Sequence, residues 1–394
     1  MAIQLRARGL KSSNIMSGRV LGRVTRTPVA ESSRSDFLRV LPRGVSLYEN
    51  LSGYAAVLCE GQAVDELDTP TVSGYEDLDF LQNDYIASVD LRSGFTRVLF
   101  RPGSPHNTLF ITDRCNSNCL MCSQPPKDVD EGGLLAEHLR YIALIPTGPQ
   151  YLCITGGEPT LLGDGLVQIL TKLKERFPAT HVTMLSNGRS YCYEDFVSKL
   201  VAVQHPMFLT SIPLYANNAT DHDYVVQARG AFDQTVKGLY NAARQGLAVE
   251  LRVVLHKQTI PLLSDLAEFI YRNLPFVQHV ALMGLEHMGY VKKNWDLLWI
   301  DPLDYAATLE DTVRYFHFRR INVSLYNLPL CVLPKSLWSF ARQSISDFKN
   351  IYLDECNDCS VKMHCAGLFM SQETIHSRGI HAIRGDEIVR DAIG

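Results

Sequence analysis

The sequence predicts an α/β protein: a parallel sheet from six β-then-α units, preceded by a β-rich region and followed by a small cysteine-bearing one. Three observations carry this. From about residue 105, short β-branched and aromatic runs alternate with amphipathic helical stretches. Parallel neighbours need a crossover, and that crossover is usually a helix. Seven of the ten cysteines fall in two sets, one just after the first of these strands and one near the C-terminus. A chain of 394 residues is too long for one small core, and the changes in texture divide it at 1–104, 105–300 and 301–394.

Residues 1–104 are rich in Gly, Ser, Arg and short strand-like runs such as Arg19–Leu21 and Ala55–Leu58. Tyr85–Asp90 and Phe95–Phe100, joined through Arg92-Ser93-Gly94, predict a hairpin with a glycine turn. Asp65–Asp79 is acidic and turn-rich and reads as a loop. Strands are then expected at Thr108–Thr112, Tyr151–Thr155, His181–Leu185, Met207–Ser211, Val249–Leu255 and Val277–Met283. Leu166, Ile169, Leu170 and Leu173 lie at helical spacing, as do Leu263, Leu266, Phe269 and Ile270. Six such units suit a partial barrel or a doubly wound sheet, and in both the chemistry sits at the carboxyl ends of the strands. A helix over Leu303–Phe318 leads into a less periodic C-terminal region.

Composition narrows the class. A formal net charge of -4 provides no broad basic field, so nucleic acid is not an expected partner. No apolar run approaches the roughly 20 residues of a membrane span, and Met1–Val20 lacks the continuous apolar stretch of an export signal. A cytoplasmic protein is expected, with its cysteines as thiols or thiolates rather than disulfides. Cys59, Cys153 and Cys192 stand alone and read as small buried hydrophobes.

Cys115, Cys119 and Cys122 crowd into one short loop after the first strand, as iron–sulfur ligand runs do. A closed structural zinc site wants four ligands. Three cysteines on a four-iron cluster leave one iron open, whereas the zinc reading needs a distant fourth ligand. The second strand ends in Gly156-Gly157-Glu158-Pro159. Two glycines let a ligand approach the backbone closely, and Glu158 can accept from an ammonium group. Taken alone, these four residues are equally a plain turn.

The three-then-two cysteine spacing, with Gly-Gly-Glu about thirty-five residues on, resembles the radical S-adenosylmethionine (SAM) superfamily. The resemblance implies a partial (β/α)6 barrel and a [4Fe-4S] cluster on Cys115, Cys119 and Cys122. SAM's amino and carboxylate groups would chelate the open iron, and cleavage would release a 5′-deoxyadenosyl radical. It further implies SAM contacts from Gly156, Gly157 and Glu158, from Ser186 and Asn187 after the third strand, and from Ser211 and Arg252 on the fourth and fifth. Gly284 and Leu285 would touch the adenine. The residue before the third cysteine, often aromatic in that superfamily, is here Met121, a thioether able to pack on adenine.

Cys331, Cys356, Cys359 and Cys365 make a second set of four, which suits structural zinc or a second cluster. The set resembles the SPASM and twitch domains of radical SAM peptide maturases, which implies one auxiliary [4Fe-4S] cluster. Nearby His364, His376 and His381 read as surface histidines. Asn107–Thr112, Cys119–Lys127, Asn327–Cys331, Ala341–Asp347 and Cys365–Gly367 are similar to the His-Xaa-Ser system radical SAM maturase of the HxsC type. This implies a ribosomally made peptide substrate, a second radical SAM maturase as partner, and a flavodoxin or ferredoxin as electron donor. Two other readings stand beside it: a radical SAM enzyme for a small molecule or nucleoside, and a non-catalytic iron–sulfur or zinc redox protein.

Overall fold

The computed structural model describes residues 4–9, 11–13, 18–44, 50–61, 69–129 and 131–385. Residues 62–68, like Met1–Ile3, lie outside these, so Asp65–Asp68 of the expected acidic loop are not described; the rest of it is not all loop, because Thr71–Tyr75 form a buried strand.

Two sheets organise the chain. The first joins β1 (Arg6–Arg8), β2 (Lys11–Ser13), β3 (Arg19–Thr25), β4 (Phe37–Leu41), β5 (Ala56–Glu60), β6 (Thr71–Tyr75), β7 (Ile86–Asp90) and β8 (Phe95–Phe100) in the order β1-β8-β7-β3-β4-β5-β6-β2. The expected hairpin is β7–β8, paired antiparallel, and Gly94 takes the positive φ (66°) that its turn needs. Val24, Leu38, Val40, Leu58, Val72 and Tyr75 give this sheet its own core.

The second sheet is parallel throughout. Its strands are β9 (Thr108–Phe110), β10 (Tyr151–Thr155), β11 (His181–Leu185), β12 (Phe208–Pro213), β13 (Ala248–Leu255), β14 (His279–Gly284), β15 (Val323–Tyr326) and β16 (Ala341–Arg342), paired in sequence order. All six expected strands are present. The last two add to them, and so the sheet runs past residue 300. Helices α1 (Leu134–Leu144), α2 (Asp164–Arg176), α3 (Glu194–Ala202), α4 (Ala219–Val226), α5 (Ala231–Arg244), α6 (Leu263–Asn273), α7 (Trp295–Leu298) and α8 (Ala306–Phe318) connect the strands.

Alternation along these strands sorts side chains to two faces. Leu152 and Ile154, Val182 and Met184, Val249, Leu251 and Val253, Val280 and Leu282, and Val323 and Leu325 face the helices. There they meet Leu166, Ile169, Leu170 and Leu173 of α2, and Leu263, Leu266 and Ile270 of α6. Each fully buried aliphatic side chain contributes about 1.5–3 kcal/mol of transfer free energy. The opposite face carries Cys153, Thr183, Ser211, Glu250, Arg252, His279, Ser324 and Tyr326. A parallel sheet is normally apolar on both sides. One polar face therefore marks where function sits.

The segment after β16 closes with β17 (Asn350–Ile351) and β18 (Leu368–Phe369), an antiparallel pair. Arg101, buried at the end of the first sheet, reaches it by a two-oxygen pair with Asp347 at 2.6 and 2.7 Å.

Candidate functional site

The cysteine loop leaves the carboxyl end of β9 and is fastened on three sides. On the β10 side, Gly157 N donates to Thr112 O (2.7 Å) and Glu158 N to Arg114 O (2.8 Å). A Cβ on Gly157 would overlap the Arg114 carbonyl, so only glycine allows this approach. On the α4 side, Asn118 N and Leu120 N donate to Val226 O and Val225 O, both at 3.0 Å. From beyond β14, Tyr290 N reaches Cys122 O (2.9 Å) and Asn294 Nδ2 reaches Leu120 O (2.9 Å). Here Gly289 sits at φ 56°, and a Cβ would overlap Cys122 O. The glycine pair thus makes room for the loop backbone, a use that the ligand-approach reading did not anticipate.

All three thiols are partly buried. Burial pushes Cys115 up to about 11 and Cys119 up to about 12, and raises Cys122 as well. As free groups they are neutral thiols, and a bound cation is what would draw them to thiolates. Ser117 N–H points at Cys115 Sγ (3.4 Å), and the Cys122 thiol donates to Gln124 O (3.1 Å). A tetrahedral zinc with Zn–S of about 2.3 Å would bring its sulfurs to about 3.8 Å from one another. Among the described residues, no three sulfurs of either cysteine set come within 4.8 Å of one another. Soft donors at that spread fit a cluster better than a single ion.

Glu158 is fully buried, and both its oxygens are engaged. Oε1 accepts from Thr160 N (3.0 Å), Thr160 Oγ1 (2.7 Å) and Ser186 Oγ (2.8 Å); Oε2 accepts from Asn187 N (2.6 Å). It staples the carboxyl ends of β10 and β11 together. An ammonium group could reach it only through the remaining lone pair of Oε2. Asn187 spans from there to the cysteine loop, its Nδ2 on Asn116 Oδ1 (2.6 Å). Arg189, which the sequence reading passed over, donates to Asn116 O and to Ser117 Oγ (3.1 Å). Met121 and Leu285 share one apolar cluster with Tyr215, at the same end of the sheet.

Ser211 and Arg252 are held elsewhere. Both donate to Glu250 Oε1, at 2.8 Å each, and His279 Nδ1 meets Oε2 at 2.8 Å. Sequence reasoning missed Glu250. The signal was there: Glu250 and Arg252 are charged residues two apart, on one face of an otherwise apolar strand. Burial alone would raise the Glu250 carboxyl, but the His279, Arg252 and Ser211 hydrogen bonds and the Arg252 charge bring it down to about 2.

The second set also comes together. Cys331, Cys356, Cys359 and Cys365 line one small cavity with Tyr352, Lys362 and His381. Backbone amides already point at the sulfurs: Leu330 N and Gly367 N at Cys365 Sγ, and Ile383 N at Cys359 Sγ, each 3.4 Å. Such N–H···S contacts stabilise thiolates and cluster ligands. Of the three tail histidines, His364 is exposed, His376 is partly buried against Gln372 O (3.1 Å), and His381 lines the cavity. Cys59 is buried, whereas Cys153 and Cys192 are only partly so. For Cys153 the reason is its place on the polar face.

Comparison with known proteins adds the following. Residues 109–270 match the family described as the Radical SAM superfamily. The chain is 29% identical over 164 residues to an Fe-coproporphyrin III synthase of Methanosarcina barkeri, covering 40% of this chain and 39% of that protein. It is 29% identical over 190 residues to a GTP 3',8-cyclase of Petrotoga mobilis, covering 45% and 55%. The chain thus spans about half or less of the length of the curated relatives it matches. Among solved structures it resembles Streptococcus suis SuiB bound to S-adenosylmethionine, with a TM-score of 0.46 and 16% identity over 65% of this chain and 56% of that one.

Proposed function

Residues 109–270 of this chain belong to the Radical SAM superfamily, and from that premise we propose that the protein is a SAM-cleaving enzyme that modifies a ribosomally made peptide. A [4Fe-4S] cluster on Cys115, Cys119 and Cys122 would supply the electron that splits the sulfonium and yields a 5′-deoxyadenosyl radical. The observation that carries this is the loop itself: three spread, desolvated soft donors, clamped to the carboxyl ends of β9 and β10, with no fourth cysteine in the run.

The chain's own residues do the positioning. Glu158, Ser186 and Asn187 lock two strand ends into one rigid lip beside the cysteines. Arg189 and Asn187 hold Asn116 and Ser117, which keeps the Cys115 side of the loop from moving. Met121 and Leu285 offer an apolar floor for the adenine, and the polar sheet face, read as the inside of a partial barrel, receives the substrate.

The four-cysteine cavity is read as the place of one auxiliary [4Fe-4S] cluster in a SPASM- or twitch-like domain. Sulfur spread and N–H···S contacts support it. The stretches that resemble HxsC-type maturases support a His-Xaa-Ser repeat peptide as substrate, a second radical SAM maturase as partner, and a flavodoxin or ferredoxin donor in the cytoplasm. A second reading, a small-molecule substrate, is favoured by the likeness to an Fe-coproporphyrin III synthase and a GTP 3',8-cyclase.

Anaerobic reconstitution with dithionite and SAM tests the core of this. The expected result is 5′-deoxyadenosine from the wild type and none from Cys122→Ala. Cys359→Ala keeps part of the activity. Metal analysis should find about eight irons per chain, whereas about four irons and one zinc would remove the auxiliary cluster. Product formed on a His-Xaa-Ser repeat peptide, and not on a porphyrin or nucleotide, selects between the substrate readings.

A further inference from the structure

The cavity that gathers the second cysteine set has a largely apolar wall. Val361, Leu368, Ile380 and Ile383 line it beside the four cysteines, and Lys362 is the one full cation among the lining residues. Lys362 stands between two of the cysteines in the chain. Its N–H donates to Cys359 O and its carbonyl accepts from Cys365 N, both at 3.2 Å, in the short 3-10 turn Lys362–His364. The side chain is pinned as well. Its Nζ lies 5.2 Å from the centre of the Tyr352 ring, and the Tyr352 hydroxyl donates to Cys365 O at 2.9 Å. The ring thus ties the ammonium to the backbone of a cysteine.

A half-buried ammonium in an apolar wall normally meets a carboxylate. Among the described residues, none pairs with Lys362. The acidic side chains of the same loop, Asp354, Glu355 and Asp358, are exposed, and Asp358 leans on Arg384 at 3.7 Å. What the ammonium shares its cavity with is four sulfurs. As neutral thiols they leave it without a counter-charge, whereas as metal ligands they supply one.

We propose that Lys362, held on Tyr352, raises the reduction potential of the iron–sulfur centre that the four cysteines carry. This rests on the auxiliary-cluster reading above. Taking up one electron makes such a centre one unit more negative, so a fixed cation beside it favours the reduced form. The electron comes from a one-electron donor, dithionite in vitro, which is oxidised in the same step. No proton moves, because the ammonium stays charged in both states. The apolar wall strengthens the effect, since little solvent is there to screen it. Tyr352 is a positioning residue for the ammonium. Lys362 thereby makes this centre a readier electron acceptor than its four-thiolate ligand set alone.

An EPR-monitored redox titration of the reconstituted full chain provides the test. The signal of the second centre is identified as the one that Cys359→Ala removes. At the wild-type midpoint, the ratio of reduced to oxidised second centre should fall about tenfold in Lys362→Gln, a shift of about 59 mV for one electron. The midpoint of the first centre should stay where it is. Lys362→Arg should keep the wild-type midpoint, and Tyr352→Leu, which keeps the charge but frees it, should move it part of the way down. An unchanged midpoint in iron-replete Lys362→Gln overturns the proposal, as does an equal shift of both centres or a Lys362→Arg midpoint that matches Lys362→Gln. So does Lys362→Gln protein that loads only the first centre, since the lysine would then be structural. If the wild type gives no second iron–sulfur signal, the auxiliary-cluster reading falls, and this inference with it.

Discussion

Glu250 shows how one buried carboxylate gains its charge. Three neighbours donate to it, and it sits well below its ordinary value of 4.5, at about 2. A depressed carboxyl stabilises the fold above its unfolded value and loses that contribution as the pH falls through its folded value. The window is therefore pH 4.5 down to about 2. Over it the wild type should lose about 3 kcal/mol that Glu250→Gln does not carry. Urea unfolding of both proteins at several pH values checks this, and a stability gap that stays constant across the window would refute it. Arg252 and Ser211 were readable in the sequence as polar strand residues. Their shared partner was not, because cross-strand pairing depends on register.

Packing around the cysteine loop sets the tolerance of the elements that carry it. Gly157 lies against the Arg114 carbonyl and Gly289 against that of Cys122. Gly157→Ala must push the loop off the β10 turn and strip the hydrogen bonds to Thr112 and Arg114. A cost of about 2–4 kcal/mol is expected, in the range of overpacking plus lost hydrogen bonds. The sharper readout is iron: the variant should bind less per chain after reconstitution, while its far-UV circular dichroism stays close to wild type. The motif Gly-Gly-Glu was legible by eye. That its glycines serve loop docking and its carboxylate serves as a staple depended on the distances.

At the scale of the whole molecule, charged pairs join the first sheet and its flanking turns to the rest, Arg140–Asp36 among them. Arg19 pairs with Glu137 of α1, and Arg101 pairs with Asp347 in the C-terminal region. The second is the more buried, with the Arg101 side chain 11% exposed. Asp347→Asn should cost about 1–3 kcal/mol, because a nearly buried guanidinium loses a two-oxygen partner. A lowered thermal midpoint, with the far side of the parallel sheet unaffected in hydrogen exchange, is the expected outcome. An unchanged midpoint would mean that solvent already screens the pair.

The sequence by itself determined the six-strand α/β core, the hairpin of the first sheet and the cysteine runs Cys115–Cys122 and Cys356–Cys365. Those signals are local: period-two and period-3.6 patterns, and ligand spacing within a dozen residues. Tertiary structure decided the rest. Val323–Tyr326 and Ala341–Arg342 are too short to announce themselves, and they become strands only because β14 offers an edge to the first and β15 an edge to the second. Cys331 joins Cys356, Cys359 and Cys365 across twenty-five residues because the intervening chain folds back around one cavity. The hydrogen bonds from Glu250 through His279 to Ser324 span three strands whose neighbourhood no one-dimensional pattern encodes. Local chemistry is written along the chain, whereas proximity between distant strands is set by register and by the burial of the apolar face behind them.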